Sequence, residues 1–180
     1  MKILLTGGSG FVGGAIAKMF SEKHEIRALS RSSESDQKLS PYNVQCVRGD
    51  LFSLHESMFH GIEVVIHCAA FVGPWGTKED FWKGNVLGTK NLLQFAKNAG
   101  VKRFLHMGTE AAIFSGSDLI GIDESYPYPK NTPYLYSITK QEAEKQVLAA
   151  GTDDFECIVL RPRLVWGKGD TSVLPTVMRL

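Results

Sequence analysis

Eight residues close to the N-terminus, TGGSGFVG at positions 6–13, limit what this chain can fold into more than any other stretch. They follow the apolar run KILL and precede a helical pattern. Gly7, Gly10 and Gly13 fit the spacing G-x-x-G-x-x-G, while Gly8, Gly10 and Gly13 fit G-x-G-x-x-G. Glycine at these places permits a tight turn, close approach of a pyrophosphate to the backbone, and close packing of helix on strand. A helix opening at Phe11 adds unbonded N–H groups and the positive end of its dipole. A glycine spacing by itself is weak. Its place between a strand and a helix is the context that gives it meaning. The reading is dinucleotide binding by Gly7, Ser9, Gly10, Phe11, Val12 and Gly13; a glycine-rich turn used only for packing is the rival.

Beyond the glycines, the chain keeps alternating strand and helix. Strand-like runs stand at KILLTG, HEIRALS, NVQCVRGD, EVVIHCAA, KRFLHMGT and FECIVLRP. Several are almost continuously apolar, as parallel strands buried on both faces are. Helical patterns fill the gaps at 11–23, 53–59, 79–98 and 133–149. Ser53 and Glu56, in SLHE, have capping-box spacing, and Gly100 is placed to end the long helix. Strict alternation predicts a doubly wound parallel α/β sheet. A chain of 180 residues suffices for one domain with a core. The last sixteen residues, VWGKGDTSVLPTVMRL, read as the opening of a further helix. The expectation is therefore that residues 1–180 are a dinucleotide-binding domain, the N-terminal part of something longer.

Composition removes other classes. Net charge is +1, which gives no basis for a nucleic-acid surface. No run approaches the ~18 apolar residues of a membrane span, and glycines interrupt the N-terminal apolar run too early for a signal peptide. Cys46, Cys68 and Cys157 are odd in number, far apart and within strand-like runs. That pattern fits neither a disulfide framework nor a metal site, and the expected home is a reducing cytoplasm.

Chemistry-bearing residues fall at the ends of the strands. The second run ends ALSR, where an acidic side chain would bind the adenosine ribose. Arg31 stands there instead, and a guanidinium suits a 2′-phosphate, so the sequence leans to NADP over NAD. A solvated surface arginine is the alternative, and Glu34 and Asp36 lie near enough to reach the ribose. Asp50 and Leu51 end the third run; Asp50 is read either as an acceptor for an adenine amino group or as a turn cap. Ala69 and Ala70 end the fourth and let a flat ring approach the backbone. His67, just before them, reads as a satisfied core histidine. Thr109 ends the fifth and offers a hydroxyl to a substrate oxygen. Tyr136 and Lys140 lie four apart on the following helix, on one face. A phenol beside an ammonium is expected to ionise more easily than a free one. Tyr134 has Ile138 at that spacing.

Together the pieces TGGSGFVG, GDL, HCAA, NVLGTKNLL, Thr109, YSITK and LRPRLVWGKGD resemble the extended short-chain dehydrogenase/reductase superfamily over nearly the whole chain. GPWGTKEDFWKGNVLGT and RPRLVWGKGD look most like its 3β-hydroxysteroid and sterol dehydrogenase branch. The resemblance implies a Rossmann fold with the substrate domain largely missing. It implies a nicotinamide cofactor, NADP or NAD, and hydride transfer to or from a secondary alcohol or ketone as small-molecule substrate. It makes Tyr136 the general acid/base, and Lys140 the residue that lowers its pKa and holds the nicotinamide ribose. Thr109 would polarise the substrate oxygen, Pro162 would lie by the carboxamide, and Asn85 would be structural. It leaves a homodimer open. Gly108 departs from the serine usual there. Glu110 is followed by Ala111, which breaks the Asp-Glu pair of dehydratases. A nucleotide-sugar epimerase and a non-catalytic dinucleotide sensor remain as alternatives; the retained Tyr–Lys pair speaks against the sensor.

Overall fold

The structure, a computed structural model, describes residues 1–73, 75–170 and 178. All six strand-like runs become strands: β1 (Lys2–Thr6), β2 (Glu25–Ser30), β3 (Val44–Arg48), β4 (Val64–His67), β5 (Arg103–Met107) and β6 (Glu156–Leu160). They form one sheet in the order β3-β2-β1-β4-β5-β6, and every neighbouring pair is parallel. Chain order reverses between β1 and β4, the point where ligands gather in such sheets.

Successive strand residues point to opposite faces, and both faces are buried. Ile3, Leu5, Ile26, Ala28, Val64 and Ile66 pack on one side with Ala17 of α1 (Phe11–Phe20) and Leu39 of α2 (Ser33–Leu39). Leu4, Val65 and Phe104 pack on the other with Leu92, Leu93 and Ala96 of α4 (Gly88–Asn98) and Val147 of α5 (Leu135–Ala150). The central strands β1 and β4 read as nearly unbroken apolar runs because neither face meets water.

The helices differ from expectation in instructive ways. α2 was not anticipated, because its sequence SESDQKL has no apolar period and buries only Leu39. The Ser53–Glu56 capping box does not form. Ser53 Oγ accepts from the Asp50 amide at 2.8 Å and donates to Asp50 Oδ1 at 3.1 Å. Only a 3-10 turn, Glu56–Phe59, comes after it. The local Asp–Ser turn outcompetes a helix start, as such side chains can. A capping box forms instead at Thr77 and Asp80, opening α3 (Lys78–Phe81).

The expected long helix is continuous from α3 to α4 but passes through a π turn, Trp82–Leu87. Glycines let neighbours press on it: a Cβ on Gly84 would lie 2.7 Å from Phe71 Cβ, and one on Gly88 would lie 2.6 Å from Leu51 Cδ1. Gly100 ends the helix as anticipated. Its φ is +72°, its N–H bonds Lys97 O, and the Val101 N–H bonds Ala96 O, the paired bonds of a Schellman cap. Most of the further helix expected within 165–180 lies outside the described residues.

Candidate functional site

The glycine turn is built for close approach. Gly7 has φ +70°, and a Cβ on it would stand 2.6 Å from the Ala69 amide nitrogen. A Cβ on Gly13 would stand 2.1 Å from Gly7 O, so that position admits no side chain. Gly10 is the N-cap of α1 and provides no side-chain cap, and the first turn of the helix carries no acidic residue. The N–H groups around Phe11 and Val12 are therefore left for an anion. Gly8 has more room, its nearest neighbour being Leu5 Cδ2 at 3.3 Å. The geometry thus demands glycine at positions 7 and 13, where a Cβ would collide with the backbone, while Gly8 and Gly10 each have room to 3.2–3.3 Å. Ser9 lies half-buried in the same turn. These features fit the diphosphate of a dinucleotide.

Arg31 is exposed at the end of β2. The two acidic alternatives nearby are engaged elsewhere: Glu34 pairs with Lys38 at 2.8 Å, and Asp36 accepts from Ser30 Oγ at 2.5 Å and pairs with Arg48. At the end of β3, Asp50 serves as the turn cap. Its Oδ1 accepts from the Phe52 amide at 2.8 Å, which holds the carboxyl below its ordinary range. Leu51 sits under Gly88, and its carbonyl accepts from Asn91 Nδ2 at 2.5 Å. After β4, the Ala69 amide donates to Thr6 Oγ1 at 3.3 Å. Ala70 is next and half-buried. Asn85 then grips the backbone of Phe71 from both sides, accepting from its amide at 2.7 Å and donating to its carbonyl at 3.1 Å. Asn85 also donates to Thr139 Oγ1 at 3.1 Å. This tie between the β4 loop and α5 is the structural part expected of it.

Thr109, Tyr136 and Lys140 come together at the C-terminal edge of β5. Thr109 lies near enough to Tyr136 to favour its ionised form, while Thr109 Oγ1 accepts from the Ala111 amide at 3.2 Å. Tyr136 is half-buried, while Tyr134 is 51 % exposed and stacks on Phe114. One expectation is corrected here. Burial pushes the Tyr136 phenol above its ordinary value, only partly offset by the influence of Thr109. Lys140 does not pull it down, because its ammonium turns into the protein. There Nζ donates to Met107 O at 2.7 Å and lies 3.3 Å from His106 Nε2. Burial brings Lys140 down to about 8, against the opposing influence of Glu144. Pro162 lies beside Thr109 along the edge, its carbonyl accepting from the Glu110 amide at 3.3 Å.

Residues 3–180 match the NAD dependent epimerase/dehydratase family. The chain belongs to that family. It is 37% identical over 182 residues to a 4-hydroxy-2-methyl-3-oxo-4-farnesyl-3,4-dihydroquinoline-1-oxide ketoreductase of Stigmatella aurantiaca, covering 99% of this chain and 54% of the relative. It is 33% identical over 187 residues to a 3-beta-hydroxysteroid dehydrogenase of Mycolicibacterium neoaurum, covering 98% and 50%. A solved UDP-glucuronic acid 4-epimerase of Bacillus cereus shares the fold, with TM-score 0.77 at 22% identity over 93% of this chain and 58% of that one. The chain spans about half the length of the curated relatives it matches.

Within this epimerase/dehydratase frame, two features were not anticipated from the sequence. Glu144 is fully buried on α5. Its Oε1 receives Arg161 Nε at 2.7 Å, Arg161 Nη2 at 2.5 Å and the Tyr128 hydroxyl at 2.6 Å, while Oε2 has no partner. The spacing 136, 140, 144 along one helix face was the available signal. Gly108 is explained by the same packing: a Cβ there would meet Leu160 O at 2.8 Å and Glu144 Oε2 at 3.2 Å. A serine would need β5 and β6 to part slightly. His106 is the second, and its register opposite His67 was its signal.

Proposed function

We propose that residues 1–180 form the dinucleotide-binding domain of a nicotinamide-dependent oxidoreductase that interconverts a secondary alcohol and a ketone. The observation that carries this reading is the convergence of Thr109, Tyr136 and Lys140 on the sheet edge that also holds the glycine turn. The dinucleotide, when bound, supplies hydride acceptance or donation. The chain supplies everything else. Gly7, Gly10 and Gly13 with the α1 N-terminus hold the diphosphate; Ala69 and Ala70 leave flat space along the β4 loop; Arg31 meets a 2′-phosphate, which favours NADP over NAD.

The substrate oxygen must exchange a proton as its carbon changes oxidation state, and Tyr136 is placed to do this. Thr109 steadies the phenol and the same oxygen. In the resting chain the phenol is pushed up, so Tyr136 is protonated at neutral pH. That is the form needed to donate to a ketone, so reduction is the direction the resting site favours. The named relatives above are a ketoreductase and a dehydrogenase, which supports an oxidoreductase over an epimerase. A steroid-like apolar substrate is in keeping with the loop after β4, where Val72 is 70% and Trp75 86% exposed.

The test is cofactor titration and steady-state reduction of hydrophobic ketones, on the gene product that carries this chain. Tyr136→Phe should lower turnover by about 10²–10⁴-fold with cofactor affinity nearly unchanged. Lys140→Met should weaken both, and Tyr134→Phe should be mild. A larger loss from Tyr134→Phe than from Tyr136→Phe would overturn the assignment.

A further inference from the structure

Two buried histidines lie beneath the site, and they are not equivalent. His67 on β4 and His106 on β5 are register partners on adjacent parallel strands. They share a face, with ring centroids 5.2 Å apart. Both are almost wholly shielded, at 0% and 1% exposure.

The hydrogen bonds fix the tautomer of His67. Thr89 has one hydroxyl proton and gives it to the Asn85 carbonyl at 2.6 Å. Thr89 Oγ1 must therefore accept from His67 Nε2, 2.9 Å away. The proton of neutral His67 is then on Nε2, and Nδ1 accepts from the Thr6 hydroxyl at 2.7 Å. Thr6 Oγ1 in turn accepts from the Ala69 amide. Every polar atom of that chain is satisfied.

His106 is fixed in the opposite sense. Its Nε2 faces Lys140 Nζ at 3.3 Å, and a lysine ammonium has donors only. Nε2 must accept, which puts the imidazole proton on Nδ1. Nδ1 is buried with no partner. A donor left unsatisfied in a buried site is costly, so the arrangement holds the ring in the less comfortable tautomer for the sake of its other nitrogen.

We propose that His106 is a positioning residue for Lys140: its unprotonated Nε2 and the Met107 carbonyl take two of the three ammonium donors, leaving one for the mouth of the site. This rests on reading Lys140 as a cofactor-facing residue. The groups that bear on Lys140 come from several packed elements: Glu144 on α5, His106 on β5, His67 and Cys68 from β4 and just beyond it, and Arg161 after β6 through its pair with Glu144. Both histidines are held neutral by burial, with Lys140 opposing their protonation. An acceptor at Nε2 favours the charged amine. Without it, Lys140 should lose its proton at lower pH and its third donor should wander.

The experiment uses the gene product that carries this chain. Long-range ¹⁵N NMR on labelled histidine reads the His106 tautomer, and ¹³Cε NMR on labelled lysine reads the Lys140 titration. NADH affinity is measured against pH in the parent, His106→Leu and His106→Gln. The expected result is a neutral Nδ1–H ring at pH 7. The Lys140 midpoint should drop by about one unit in the leucine variant, with roughly five-fold weaker NADH binding near pH 8. The glutamine variant, whose Oε1 can accept, should return to within about two-fold of the parent. An Nε2–H ring in the parent, or a Lys140 midpoint unmoved in both variants, overturns the proposal. If His106→Leu fails to fold, the parent tautomer decides. Lys140→Met separates the two ideas: unchanged NADH affinity there removes the cofactor-facing reading, whereas the tautomer and titration still judge the His106–Lys140 link.

Discussion

At the scale of single residues, the proposed preference for NADP rests on Arg31. It is exposed at the strand end where the adenosine ribose would lie, and Glu34 and Asp36 are paired with Lys38 and Arg48 instead. NADPH should therefore bind more tightly than NADH, by the roughly 1.5–3 kcal/mol of a charge-assisted contact. Arg31→Ala should bring the two affinities close together, and added salt should do part of the same. Fluorescence titrations showing equal affinities in the parent chain would dispose of the idea. The residue scale also shows where sequence reading reached its limit. Tyr136 and Lys140 could be paired by their spacing, because helix geometry fixes which residues share a face. The direction of the Lys140 ammonium could not, because it depends on Met107 O and His106, which reach it from another element. Asp50 was readable as a turn cap or a ligand; the cap became visible only with the position of the Phe52 amide.

At the scale of elements, α5 is unusual in burying polar groups: Ser137, Thr139, Lys140 and Glu144 all face inward. Glu144 can be there only because Arg161 and Tyr128 reach it. Arg161→Met would leave a buried carboxylate without its counter-ion, which should cost about 3–5 kcal/mol. Replacing both partners, Arg161→Met with Glu144→Met, should recover most of that loss. Urea unfolding of the two variants measures it. A double variant as unstable as the single one would mean that the pair holds the backbone in some other way. The central strands β1 and β4 were readable because burial on both faces writes an unbroken apolar run, while the edge strands β3 and β6 keep exposed positions. α2 was hidden because it buries one side chain and is held by the Ser32 cap. The π turn was hidden because Gly84 and Gly88 look like ordinary helix-weakening residues until Phe71 and Leu51 are seen pressed against them.

At the scale of the whole molecule, the buried histidines govern the response to acid. Burial lowers His67 to about 3 and holds His106 well below its ordinary value. In the unfolded chain both would take up protons near pH 6.5. The unfolded state thus binds more protons between those limits, so stability is full above about pH 6.5 and declines as pH falls toward 3. For His67 alone the loss amounts to ~5 kcal/mol by the lower limit. Carboxylates contribute only below about pH 4.5, so the interval from 6.5 to 4.5 isolates the histidines. Denaturant unfolding at stepped pH should show that decline; an unfolding free energy flat from pH 7 to 4.5 would contradict it. Lys140 acts at the other end, since a depressed lysine makes the fold firmer as pH rises from about 8 toward its unfolded value.

The reversal of strand order between β1 and β4 has a consequence for descent. Arg31, with the residues that dress it, belongs to the half of the chain that precedes the reversal. Thr109, Tyr136 and Lys140 belong to the half beyond it. Groups that share no partner behave independently. A lineage can therefore exchange one electron carrier for another by altering the first half, and keep an unaltered proton apparatus in the second. On the proposed function, it can equally remodel the substrate it meets while keeping the same carrier.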